Sequence, residues 1–246
     1  MAKSFLLIGG SSDIAQILAR ELLDSGHLVT LLARDVGRIS HLKDMGADII
    51  EGDALDEAVV SSAVEHAKGR SEDGLSGAAH LVGSIALRPP HATKLEDFEA
   101  VIQTNLVSAF LMLKLVGKAM LRNGTGRMVF TSSVAGSYGL TNHEAISAAK
   151  SGVECLVRGA AATYAANSIR VNAVAPGIMD TPAAAKILSS DLLRVVAARQ
   201  YPLASIGSAD ELANLIVWLL SEEAARVTGQ VWSLDGGFST IRPYVK

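Results

Sequence analysis

The sequence predicts a doubly wound α/β fold, in which about seven parallel strands form one sheet with helices on both faces. Short apolar runs alternate with longer amphipathic stretches along nearly the whole chain, and this alternation is typical of right-handed βαβ units. No low-complexity linker, charge run or internal repeat divides the 246 residues, so one domain, 1–246, is expected. In such a fold the ligand cleft lies at the carboxyl ends of the strands.

The predicted elements follow one another closely along the chain. Strands are expected at the apolar runs 5–8, 28–33, 48–51, 78–82, 127–131, 168–174 and 230–234. Helices are expected at 13–25, 56–68, 95–122, 143–166, 182–198 and 209–221, where apolar residues recur with the helical period. The first strand end and the helix after it therefore form the first βα junction of the sheet.

Composition and charge argue against several classes of function. A net charge of -3 gives no electrostatic case for binding nucleic acid or an anionic membrane. The single cysteine, Cys155, excludes an internal disulfide and suits a reducing compartment. We expect no signal peptide, no membrane-spanning window and no metal site from the residue spacings. A cytoplasmic protein with a small-molecule partner is therefore predicted.

A glycine-rich turn follows the first predicted strand and has the features of a phosphate-binding site. It runs from Gly9 through Ser11, Ser12 and Asp13 to Ile14. Glycine lets the backbone approach a pyrophosphate, and the helix that follows offers free N–H groups. The alternative is an ordinary turn in which Asp13 caps the helix. Its place at the first βα junction favours a dinucleotide site.

The ends of the second and third strands bear on the choice of cofactor. Arg34 follows Ala33 where an acidic residue would bind a ribose 2′-hydroxyl, and an arginine instead accommodates a 2′-phosphate. The sequence therefore favours NADP, with NAD as the alternative if Asp35 turns inward. A further alternative is that Arg34 is only a solvated surface residue. Asp53, followed by Ala54, is expected either beside the adenine or in an ordinary turn.

Nine short motifs then occur in the order and spacing of one family. They are G-G-S-S-D-I-A at 9–15, G-D-A at 52–54, H-L-V-G at 80–83, Q-T-N-L at 103–106, T-S-S at 131–133, Lys150, I-R-V-N-A-V-A-P-G at 169–177, T-P at 181–182 and D-G-G at 235–237. With them the chain resembles the short-chain dehydrogenase/reductase family along essentially its whole length. The resemblance implies a Rossmann-type fold, NADP(H) or NAD(H), and hydride transfer to or from a small alcohol or carbonyl compound. It also implies a homotetramer or homodimer packed through the helices near 95–122 and 143–166.

The resemblance further implies roles for individual residues. Asn105 corresponds to a residue that kinks its helix and holds a relay water, Ser133 to a serine that hydrogen-bonds the substrate oxygen, and Lys150 to a lysine that grips the nicotinamide ribose. The Ile178 backbone corresponds to a contact with the nicotinamide carboxamide, and residues 182–200 to a lid over the substrate. The residues expected along the cofactor are Gly9, Ser11, Ser12, Asp13, Ile14, Arg34, Asp53, Ala54, Gly83, Lys150, Pro176, Gly177, Ile178 and Thr181.

The chain departs from the family pattern at three places. The second and third glycines of the first loop are Asp13 and Ala15, and the usual N-N-A-G reads H-L-V-G. The usual Tyr-x-x-x-Lys pair reads Ile146-x-x-x-Lys150, and none of the tyrosines at 138, 164, 201 and 244 lies four residues before a lysine. Since isoleucine can transfer no proton, the usual acid/base is missing.

Another group must donate the proton if the protein is an enzyme. His143 precedes Ile146 by three residues and so shares nearly the same helical face, and its ordinary pKa suits proton exchange near neutral pH. The alternative is a histidine that faces water at a helix start capped by Asn142. Tyr138 could swing in from its loop, and Ser133 could relay a proton to water through Lys150. A second hypothesis is a binding or regulatory protein that keeps the fold without turnover.

Overall fold

A computed structural model describes residues 1–242 of the chain, so Tyr244 lies outside the described residues. The strands of the main sheet are β1 (Ser4–Ile8), β2 (Leu28–Ala33), β3 (Asp48–Glu51), β4 (Leu75–His80), β5 (Gly126–Thr131), β6 (Ile169–Pro176) and β9 (Val231–Leu234). They form one parallel seven-stranded sheet in the order β3-β2-β1-β4-β5-β6-β9. The predicted fold class is confirmed.

Helices cover both faces of this sheet. They are α1 (Asp13–Asp24), α2 (Glu57–Gly69), α3 (Leu95–Ile102), α4 (Ser108–Asn123), α5 (Glu144–Tyr164), α6 (Asp191–Ala198) and α7 (Ala209–Leu220). Helices α2, α4 and α5 share one buried apolar cluster with the sheet, and α1 and α7 share the other. Strand β1 supplies Leu6 and Ile8 to the first cluster and Phe5 and Leu7 to the second, as expected for a strand that is buried on both faces.

Strand β4 begins at Leu75, three residues before the predicted start at 78. Ser76 and Gly77 interrupt the apolar run, so the sequence pattern did not indicate this earlier start. Gly77 nevertheless pairs with Phe5 of β1. A Cβ on Gly77 would lie 2.6 Å from the Phe5 ring, so glycine is required there by packing and not by a turn. The order β1-β4 at the centre places the ends of these two strands side by side.

The predicted helix over 95–122 is interrupted. A π-helical turn, Gln103–Val107, separates α3 from α4. The amide Nδ2 of Asn105 donates to the carbonyl of Val101 at 3.0 Å and so competes for a backbone acceptor inside the helix. The wider turn sets Asn105, which is fully buried, at the carboxyl edge of the sheet.

Only half of the predicted helix over 182–198 forms. A 3₁₀ turn, Pro182–Ala184, is followed by irregular chain, and α6 begins at Asp191. Ser190 caps α6 by accepting from the Leu193 N–H at 3.3 Å, which explains where the helix starts. Two further short strands, β7 (Met179–Asp180) and β8 (Gly207–Ser208), lie on either side of this segment. They pair in parallel and so hold its two ends together. At two residues each, they were too short to predict.

One helical stretch contradicts the expectation that no window resembles a membrane span. Leu95–Asn123 is 29 residues long and contains an 18-residue window of mean hydropathy 1.5, so it passes by length and composition. Half of that window is buried inside the protein. A core helix of this kind has the same composition as a span, because its buried stripe packs against the apolar face of the sheet.

Candidate functional site

A cleft of about 970 Å³ opens at the carboxyl ends of the parallel strands. It follows the turns after β1, β2, β3, β4, β5 and β6, which is where a doubly wound sheet binds its ligand. Every residue predicted for the site lines this cleft, namely Gly9, Ser11, Ser12, Asp13, Ile14, Arg34, Asp53, Ala54, Gly83, Asn105, Ser133, His143, Lys150, Pro176, Gly177, Ile178 and Thr181. The topology thus brings together residues far apart in the chain.

The turn after β1 lets a ligand approach the protein backbone closely, and it leaves no space for a side chain at Gly9. Gly9 has φ +91°, and a Cβ there would lie 2.7 Å from the carbonyl carbon of Leu81. Ser12 caps α1 by accepting from the Ala15 N–H at 3.2 Å, so the alternative in which Asp13 is the cap is wrong. The first-turn N–H groups of a helix have no intrahelical acceptor, and they border the cleft here at Asp13 and Ile14. This cradle fits a pyrophosphate.

Two arginines stand at the end of the cleft beside β2. The Arg34 side chain is 75% exposed, and its Nη1 lies 3.8 Å from Oδ2 of Asp53. Arg38, which sequence reasoning missed, donates to Oδ1 of Asp13 at 3.2 Å. Both arginines line the cleft and Asp35 does not, so the alternative in which Asp35 turns inward is wrong. Arg38 lies on the short 3₁₀ helix Gly37–Leu42 that follows β2, and no local sequence pattern marked it.

Lys150 is the buried cation of the site. Its residue is 5% exposed, and its Nζ donates to the carbonyl oxygen of Thr131 at 2.7 Å. Burial lowers the pKa of Lys150 to about 8, because the charged ammonium loses hydration. Lys150 therefore loses its positive charge at a pH that is only slightly above neutral.

Both the oxygen and the nitrogen of the Asn105 amide are hydrogen-bonded within the protein. Its Oδ1 accepts from the Ser84 N–H at 3.1 Å, and its Nδ2 donates to the Val101 carbonyl at 3.0 Å and to Ser84 Oγ at 3.0 Å. Oδ1 keeps a second lone pair for a further donor. A Cβ on Gly83 would lie 3.2 Å from Oδ1 of Asn105 and 3.6 Å from Nζ of Lys150, so a small residue is needed beside both.

Ser133 begins the turn that follows β5. Its Oγ accepts from the Ala135 N–H at 3.2 Å, which leaves its O–H able to donate into the cleft. Behind this turn, Glu154 is 4% exposed. Its two carboxylate oxygens accept from Ser132 Oγ and Ser137 Oγ, each at 2.9 Å. Glu154 thus bridges both ends of the turn that carries Ser133. Sequence reasoning missed this acid, although it stands in the buried stripe of α5 between Val153 and Val157.

Ile146 closes the wall of the cleft with hydrocarbon. It is 5% exposed and packs in a cluster with Val101, Ala135 and Ala149. The surface beside Lys150 is therefore apolar at the position where the resemblance implies an acid/base residue.

His143 lies at the rim of the cleft immediately before α5. Its Nδ1 donates to the Thr141 carbonyl at 2.8 Å, so Nε2 is the ring nitrogen left for other contacts. Asn142 does not cap α5, because it has φ +63° and the cap position is His143 itself, without a side-chain bond. Tyr138 is 40% exposed and does not line the cleft. Of these two candidate donors, only His143 borders the cleft.

Tyr201 was also missed by sequence reasoning. Its Oη accepts from the Ile178 N–H at 2.6 Å, and burial raises the pKa of its phenol. Tyr201 follows the lid helix α6 and lines the cleft. No local pattern marks it, because the contact depends on how the lid segment folds back on the end of β6.

Comparison with known proteins yields consistent matches over nearly the whole chain. A family model described as enoyl-(acyl carrier protein) reductase matches residues 9–239. The 3-oxoacyl-[acyl-carrier-protein] reductase MabA of Mycobacterium tuberculosis is 32% identical over 96% of this chain and 93% of its own length. The cis-4-hydroxycyclohexanecarboxylate dehydrogenase of Sinomonas cyclohexanicum is 36% identical over 96% of both chains.

A solved structure described as ElxO with NADP bound resembles this chain with a TM-score of 0.89. The two are 26% identical, over 97% of this chain and 99% of the other. This chain and ElxO therefore share the arrangement of strands and helices that surrounds the cleft.

The buried charge of Lys150 predicts a pH-dependent stability difference between the wild type and Lys150→Met. The pKa is 10.5 in the unfolded chain and about 8 in the folded one, so the unfolded state binds more protons between these values and wild-type stability rises with pH there. Relative to Lys150→Met, the wild type should gain about 3 kcal/mol in the free energy of unfolding between pH 7 and 10.5. Urea denaturation across this range measures it, and a constant difference would contradict the burial of a charged lysine.

Proposed function

This chain belongs to the short-chain dehydrogenase/reductase family, and we propose that it is an NAD(P)(H)-dependent oxidoreductase acting on a small alcohol or carbonyl compound. The observation that carries this proposal is the convergence of Asn105, Ser133 and Lys150 on the cleft that also contains the Gly9 turn. The named relatives are a reductase and a dehydrogenase. Isothermal titration with NADPH and NADH is the first test, and absence of binding by both below about millimolar would remove the basis of the proposal.

The residues of the cleft fit a bound dinucleotide. When bound, a nicotinamide cofactor supplies the hydride acceptor or donor. The Gly9 turn and the start of α1 hold the pyrophosphate, and the ammonium of Lys150 donates to ribose hydroxyls. Ser133 donates its O–H to the substrate oxygen and orients the reacting carbon. Glu154 holds the turn under Ser133 through Ser132 and Ser137, so this serine is fixed in place before substrate arrives.

The proton for the substrate oxygen comes, in this proposal, from His143. Its Nδ1–H donates to the Thr141 carbonyl, which leaves Nε2 as the ring nitrogen that can carry the proton to the substrate oxygen. Positioned acid–base help contributes roughly 10²–10⁴-fold to a rate. An enzyme with a rim histidine in place of a buried phenol should therefore turn over slowly, while binding of the cofactor is unaffected.

We further propose NADP(H) as the preferred cofactor. Arg34 and Arg38 border the cleft at the end of β2, where no carboxylate of that strand faces inward. A guanidinium matches a phosphate in geometry and charge. The structure described as ElxO with NADP bound supports the same choice for a similar chain.

Self-association through the outer face of α4 and α5 is a further part of this proposal. Phe110 and Leu121 on α4 are 48% and 42% exposed, and Cys155 on α5 is exposed as well. A shallow depression of about 360 Å³ lies between the two helices. Light scattering distinguishes a monomer from the expected dimer or tetramer.

Arg34→Ala should weaken NADPH binding by roughly 10- to 100-fold, because a hydrogen bond to a charged group contributes about 1.5–3 kcal/mol. The affinity for NADH should stay the same, since that ligand has no 2′-phosphate. Arg122→Ala, which removes an exposed arginine at the far end of α4, is the matched control. Equal losses for both nucleotides would contradict a phosphate contact of Arg34.

A second candidate function is that of a cofactor-binding or regulatory protein without turnover, and Ile146 favours it. The side chain beside Lys150 is hydrocarbon packed in an apolar cluster, so the site can keep its affinity while lacking its acid. Reductase activity against panels of small ketones and aldehydes, read at the nicotinamide absorbance, separates the two functions.

Ile146→Tyr should raise the reductase rate by roughly 10²–10⁴-fold, because it places a phenol beside the ammonium of Lys150. Ile146→Phe provides a ring of the same shape without the hydroxyl and should give no increase. If both variants stay at the wild-type rate while NADPH still binds, the remaining site is not arranged for hydride transfer and the regulatory function is favoured.

His143→Ala should abolish the residual wild-type rate, because it removes the proposed proton donor. NADPH affinity should remain within about two-fold, since the histidine lies at the rim. A rate and pH profile identical to the wild type would exclude His143 as the proton donor and leave a relay through Ser133 and water.

A further inference from the structure

The Ile178 N–H is a hydrogen-bond donor at the end of the cleft beyond Lys150. Strand β6 ends at Pro176, Gly177 turns the chain, and the next peptide group presents its N–H to the cavity side. This N–H is already hydrogen-bonded within the protein. It donates at 2.6 Å to Oη of Tyr201, the residue that follows the lid. Any other acceptor that needs this N–H must displace the phenol.

The ring of Tyr201 is held as closely as its hydroxyl. The residue is 7% exposed, and its ring lies over Gly177, where an added Cβ would be 2.8 Å from Cε1. The ring also packs, tilted, against that of Phe238, with ring centroids 5.7 Å apart. Burial raises the pKa of the phenol, so the hydroxyl stays neutral and accepts a hydrogen bond as a neutral oxygen.

A flat ring with an acceptor oxygen at its edge is also the shape of a nicotinamide with its carboxamide. We propose that Tyr201 fills the nicotinamide subsite of this cleft and competes with the carboxamide oxygen for the Ile178 N–H. This inference rests on the proposed function, because it assumes that the cleft binds a nicotinamide dinucleotide. Glycine at 177 is required by the Tyr201 ring, which could not lie there over a Cβ.

The competition has an energetic consequence for binding. The nicotinamide end of the dinucleotide must displace Tyr201 in order to bind. The observed affinity of the protein for the dinucleotide is therefore lower than the affinity of a preformed site would be. The other end of the dinucleotide, at Arg34 and the Gly9 turn, carries no such penalty.

Tyr201→Phe tests the proposal, because it removes only the competing oxygen. The variant should bind NADP⁺ about 2- to 10-fold more tightly than the wild type, the range set by one hydrogen bond between neutral groups. It should bind 2′-phospho-ADP-ribose, which lacks the nicotinamide, with unchanged affinity. Tyr164→Phe makes the same substitution on the α4–α5 face and should change neither value. Calorimetric titration of both ligands supplies these numbers without any turnover.

Amide hydrogen exchange at Ile178 gives a second readout in the ligand-free protein. Exchange should be faster in Tyr201→Phe than in the wild type, because the N–H loses its acceptor. Unchanged exchange, or an equal change in affinity for both ligands, overturns the role of Tyr201 while leaving the proposed function intact. If neither ligand binds the wild type, the proposed function fails and this inference fails with it.

Discussion

The junction between the end of β5 and helix α5 holds the whole site in register. Lys150 reaches across it to the Thr131 carbonyl, and Ser132 reaches back to the Lys150 carbonyl and to Glu154. These bonds are buried, so leaving one partner unpaired costs about 1–3 kcal/mol or more. They replace hydration that a lysine and a glutamate lose in the interior. The turn carrying Ser133 and the cation beside it are consequently one rigid unit.

This rigidity separates binding from proton transfer in the molecule. The bonds made by Lys150 and Asn105 do not involve position 146, so a hydrocarbon at that position leaves the cleft intact. Ile146 instead joins the apolar cluster under α5 and stabilises it by burial. A chain of this kind can retain its ligand site under substitutions that change only the chemistry performed there. Binding measurements and rate measurements therefore report on different parts of the structure.

The sequence predicted the architecture and the lining of the cleft well, for a definite reason. In a parallel sheet every strand end lies at the same edge, so residues that directly follow strands, such as Gly9 and Arg34, meet without further information. The contacts of Tyr201, Arg38 and Glu154 could not be predicted, because each depends on how a loop or helix returns to an element distant in sequence. The missing half of the lid helix has a local cause, since Ser190 competes as a cap.

The position of Phe238 carries a consequence for biosynthesis. This residue borders the cleft and packs on Tyr201, and it follows β9, which adds to the sheet beside β6. A nascent chain contains the Gly9 turn among its early residues, yet it cannot complete the opposite end of the cleft before Phe238 has been synthesised. Small molecules that stabilise the finished cleft thus act only after that point, as ligands that select the folded protein.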